Sequence, residues 1–85
     1  MRTARHGAEQ HVQQREAREL IDEALQSLPV DRRAVFVMFE LEAIGAAEIS
    51  ESLGIPLATT YSRLRVGREE FTAAVQQIQL RRGAK

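Results

Sequence analysis

The stretch "GIPLATTYSRLRVGRE", residues 54–69, sets two threonines, a serine, a tyrosine and three arginines behind a glycine and a proline. These side chains make neither a metal centre nor a nucleophile with its base. They offer hydroxyls that donate and accept, and guanidinium forks that match a guanine edge or a phosphate. Thr59, Tyr61, Ser62 and Arg65 fall in the first two turns of a helix that Pro56 allows to start near Leu57 or Ala58. From there side chains can reach base edges in a major groove about 12 Å wide. Arg63 and Arg68 flank them and suit phosphate, a contact that fixes register without reading sequence. A solvated helix face accounts for any one of these residues alone; their clustering directly after a turn favours DNA.

The turn has its own pattern. Counted from Gly54, Ile49 lies five before, Leu53 one before, Ile55 one after and Leu64 ten after, all apolar, and Ser50, four before, is small. Two helices crossing at about 90–120° over a short turn need this arrangement: apolar residues fill the angle between them and a small one permits close approach. Gly54 is placed to take a positive φ. Thr60 stands where valine or isoleucine is expected, and its hydroxyl requires a partner such as the carbonyl one turn back. The segment "AAEISESL" (46–53), this turn, and a helix from about 57 to 80 form a helix-turn-helix.

Two more helices precede it. Leu20, Ile21, Ala24, Leu25 and Leu28 recur at helical spacing, which predicts an amphipathic helix over about 10–27, ended by Pro29. Residues 1–9 read as a leader or linker remnant and 81–85 as a basic tail, leaving 10–80 as the domain. A second helix over about 30–42, with Asp31 in its first turn, is apolar almost all round from Ala34 to Phe39. Such a helix is central to the core, or offers a side to a partner, or both. Val35, Met38 and Phe39, which can share one face, and Leu41 are the candidate partner-binding residues. No strand pattern appears, so the fold class is all-α, a small bundle of four helices, winged-helix-like in its DNA-binding part.

Eighty-five residues make one domain with a compact core, burying about 60–65% of the unfolded surface. Without cysteine there is no disulfide framework and no thiolate metal site. The longest apolar run has six residues, far short of a span of about 20, and the N-terminus lacks a signal-peptide pattern. A cytoplasmic protein with no membrane contact is expected. Twelve basic and twelve acidic residues cancel overall. Their distribution is uneven: residues 16–51 hold nine acids against three bases, residues 57–85 six bases against two acids. This polarity would orient an approach to phosphate even at zero net charge, although a plain solvated surface would look similar.

"IDEALQSLPVDRRAVFVMFELEAIGAAEISESLGIPLATTYSRLRVGREEF", residues 21–71, resembles region 4 of bacterial RNA polymerase sigma factors, particularly the extracytoplasmic-function group. The similarity runs without a gap through "LP", "RRAVFVMFELE", "AEI", "GIP" and "SRLRVGRE". It implies recognition of the −35 promoter element on double-stranded DNA by the last helix. It also implies docking on the flap of the polymerase β subunit, where anti-sigma factors compete. Carried over by position, Tyr61, Ser62, Arg65 and Val66 resemble groove-facing residues, and Thr59, Arg63 and Arg68 backbone contacts. Ala58 replaces a usual glycine, Gly45 a Ser or Thr cap, Ser50 an alanine, Val66 an arginine and Gly67 an alanine. The arginine's loss removes a DNA contact; Gly67 costs up to about 1 kcal/mol of helix propensity. Nothing here resembles the region 2 of such factors, so the chain is expected to be the C-terminal part of a longer protein, monomeric alone.

An enzyme finds little support. His6 and His11 are five apart, not the i, i+4 of a helical zinc pair, and no phosphate loop or nucleophile elbow is present. No cofactor or metal is expected. The remaining rivals are another helix-turn-helix regulator and an interaction module that binds polymerase or an inhibitor without DNA. The "LP" junction and "FVMFELE" argue against the first, and Val66 argues for the second.

Overall fold

Helix α1 (Arg2–Gln26) leads into α2 (Val30–Phe36), which widens into a π turn (Val37–Leu41); α3 (Ala46–Leu53) and α4 (Leu57–Gly83) complete the chain order. The computed structural model describes residues 2–83, with side chains from Val12 onward. No strand occurs among the described residues, and no described helix is long and apolar enough to cross a membrane. His6 and His11 lie outside the described side chains, and Lys85 outside the described residues.

Helix α1 starts well before the expected position near 10, and the stretch read as a leader is helical from Arg2. Two Ala, two Arg and Glu9 make up much of that stretch, and each enters a helix at little cost even without an apolar stripe to bury. Pro29 then stands immediately before α2, where its carbonyl accepts the Arg33 N–H at 2.8 Å and Asp31 Oδ1 accepts the Arg32 N–H at 2.9 Å. The expected second helix has the right length but not a uniform winding. In the π turn the Glu42 N–H reaches back five residues to Val37 O at 3.0 Å, and the Ile44 N–H reaches Met38 O at 2.9 Å. Ala43, at φ +58°, then turns the chain toward α3.

The core forms where α2, α3 and α4 meet. Val35, Ile49 and Leu64 are buried together, and Met38, Phe39, Ile44 and Ile55 pack around them. On the other side of α2, Phe36 stacks on Phe71 of α4 with ring centroids 4.7 Å apart. The helix that is apolar all round is thus covered on two sides at once, which corrects one partner candidate. Val35 has no exposed surface, so it holds α2 in place and offers nothing to a partner.

Helix α4 turns Thr60, Leu64, Gly67, Phe71 and Ile78 inward, a stripe at spacings of three, four and seven that faces first α2 and α3, then α1. Ala24 and Leu28 are buried as well. Residues 81–83 of the stretch read as a basic tail continue this helix: Arg81 and Arg82 both donate to the Glu23 carboxylate, at 2.9 and 3.1 Å, fastening the end of α4 to α1. The Cα envelope measures 53 × 30 × 14 Å, so thin that each helix keeps a face in solvent.

Candidate nucleic-acid interface

The turn between α3 and α4 is built as a helix stop and restart. Gly54 takes φ +67°, where an L side chain would be strained. The Ile55 N–H bonds Ser50 O at 3.1 Å and the Gly54 N–H bonds Glu51 O at 3.3 Å, the paired bonds of a Schellman closure. Ser50 adds a third tie, its Oγ donating to Ile55 O at 2.5 Å. Alanine at that position could not make this bond. Thr60, fully buried, finds the expected carbonyl: its Oγ1 donates to Pro56 O at 3.2 Å, which also accepts the Thr60 N–H at 3.0 Å. Gly45 precedes α3 without a side-chain cap, again as its residue type dictates. Leu53 departs from expectation, since 39% of its surface is exposed and Ile55 and Ile49 fill the angle instead.

With Thr60 and Leu64 inward, the helical period turns the neighbouring residues outward. Tyr61, Ser62 and Arg65 are exposed; Thr59, Arg63 and Val66 are partly buried along the edges; Arg68 is exposed one turn further on. These seven candidates therefore share one helix, with Tyr61, Ser62 and Arg65 at the centre of its free face.

The arginines of this face are not idle in the free chain. Arg63 Nε lies 3.8 Å from Asp31 Oδ2, and Arg65 Nη1 lies 3.5 Å from Glu69 Oε2 one turn on. Arg68 Nε donates to Glu40 Oε2, and its guanidinium carbon lies 5.5 Å from the centre of the Phe39 ring. Spacing along the sequence gives no signal for the two pairs that cross to α4; only acids on α2 and its π turn opposite bases on α4 hint at them. Glu40 is thus a member of this face that sequence reasoning missed.

Residues 18–71 match the family model described as Sigma-70, region 4. That match covers α2, the π turn, α3, the turn and the first half of α4 with its exposed face. The chain belongs to the Sigma-70 region 4 family. It is also 40% identical over 48 residues to the ECF RNA polymerase sigma factor SigE of Mycolicibacterium smegmatis, an overlap of 56% of this chain and 19% of that protein. The aligned part spans about a fifth of that relative.

As a sigma region 4 domain, the chain is a DNA-binding helix-turn-helix of transcription initiation. The second candidate surface of region 4 lies on α2 and its π turn. Leu41 is 54% exposed, while Met38 and Phe39 are partly buried, their inner sides on the core. Without Val35, these three define the apolar surface, next to Glu40 and Arg68.

Proposed function

We propose that the chain recognises a promoter −35 element by inserting the N-terminal half of α4 into the major groove. Tyr61, Ser62 and Arg65 face base edges, Val66 supplies an apolar edge, and Thr59, Arg63 and Arg68 hold the phosphate backbone. The observation that carries this reading is the exposed face of Tyr61, Ser62 and Arg65 directly beyond the Gly54 turn, on a helix whose opposite stripe is buried. An outward face of hydroxyls, an aromatic ring and guanidinium groups adds nothing to the core and suits a groove.

The same reading places polymerase docking on Met38, Phe39 and Leu41, the surface on which the β flap and an anti-sigma factor would compete. The domain acts as a monomer within a cytoplasmic sigma factor. Selection of bound sequences from random duplex DNA, repeated with the β flap present, tests both halves. Enrichment of one motif, sharpened by the flap, is the expected outcome. Recovery of unenriched DNA in both arms overturns the reading.

A further inference from the structure

Arg68 is held by the π turn in two ways, through the Glu40 carboxylate and through the Phe39 ring. The Arg68 side chain is still 53% exposed, so an incoming anion can reach it. A carboxylate and a phosphodiester are alternative ligands for one guanidinium, since both present anionic oxygens to the same N–H donors. Phe39 and Glu40 also adjoin Leu41 on the surface proposed for docking. One short segment therefore touches both the partner side and the DNA side of the domain.

We infer that Glu40, assisted by Phe39, competes with the DNA backbone for Arg68, so that a partner covering the π turn releases this arginine to phosphate. The inference rests on the DNA reading above and specifies how that site is regulated. The fitting partner brings a basic side chain for Glu40 and apolar groups for Phe39 and Leu41. Linkage makes the effect mutual: DNA that captures Arg68 leaves Glu40 and Phe39 freer to engage the partner. Arg65 is not part of this device, because its carboxylate neighbour Glu69 belongs to α4 itself.

The test is a four-protein cycle on the 85-residue chain: unmodified, Glu40→Gln, Arg68→Ala and the double variant. Each is titrated by fluorescence anisotropy against a random-sequence duplex over a range of salt, with helix content checked by circular dichroism. Glu40→Gln is expected to tighten binding about three- to tenfold at low salt and to steepen the salt slope by about one phosphate. Arg68→Ala, which removes a proposed phosphate contact, should weaken binding by the unmodified chain and should abolish the gain from Glu40→Gln. Phe39→Leu, which keeps the apolar packing and removes the ring, should give a smaller gain with the same dependence on Arg68. A gain that survives in the double variant is a general charge effect and overturns the competition. Binding by the unmodified chain with no gain in Glu40→Gln overturns the competition alone. No duplex binding by either protein overturns the DNA reading and the competition with it.

Discussion

Arg32 and Glu70, 38 residues apart, are joined by a two-point fork: Arg32 Nε donates to Glu70 Oε1 at 2.6 Å and Nη2 to Oε2 at 2.8 Å. This planar match ties α2 to α4 one turn beyond Gly67, on the helix that carries the candidate DNA face. The hydrogen bond from Arg32 is the largest influence on Glu70 and holds its carboxyl below the usual range; the same bond raises Arg32.

The fork makes stability depend on acid. Folded Glu70 keeps its charge at lower pH than the unfolded chain does, so the contribution is complete above the ordinary value of 4.5 and fades as pH falls through the depressed one. Urea midpoints of the unmodified chain and Glu70→Gln should differ at neutral pH and converge in strong acid. A gap that stays constant with pH would mean that the charge on Glu70 contributes nothing.

Gly67→Ala is expected to stabilise. A Cβ there would sit 3.5 Å from Arg32 O and 3.7 Å from Phe36 Cβ, ordinary contact distances, so α2 and α4 need not move apart. The gain in a helix interior is about 0.5–1 kcal/mol, and a thermal melt should rise by several degrees. A lower melting temperature would show that the crossing has less room than these distances allow.

At the turn, Gly54→Ala forces a side chain into a left-handed backbone and should cost about 1–2 kcal/mol. Ser50→Ala, which only removes the bond to Ile55 O, should cost about 0.5–1.5 kcal/mol. Denaturant melts of both variants measure the two values directly.

On DNA, Arg65→Ala should weaken binding to the selected motif by about 1–3 kcal/mol and relax selectivity, as loss of a base contact does. Arg63→Ala should weaken binding to every sequence and lower the salt slope by about one phosphate. Gel shifts at several salt concentrations separate the two. Unaltered binding in both variants would remove α4 as the reading helix.

Much of this molecule was legible in its sequence because local rules decided it. Gly54 needed a positive φ, Thr60 needed a carbonyl within one turn, and the inward stripe of α4 left Tyr61, Ser62 and Arg65 outside. The features that escaped depend on distance or on weak sums. Pairs such as Arg68 with Glu40 form between separate helices and have no fixed spacing. Helix α1 runs early because many small propensities add up without any apolar marker. The burial of Val35 is not legible in the sequence because a helix apolar on all sides does not disclose which side its neighbours cover.

The π turn at Val37–Leu41 makes chain length there as consequential as side-chain identity. Deleting one residue would let the segment relax to regular winding and rotate α3 and α4 by about 100° relative to α2. The arginine clasp would lose its registry even if every clasping residue survived. Insertions and deletions at this point should therefore be poorly tolerated, a numerical constraint that no comparison of side-chain chemistry would expose.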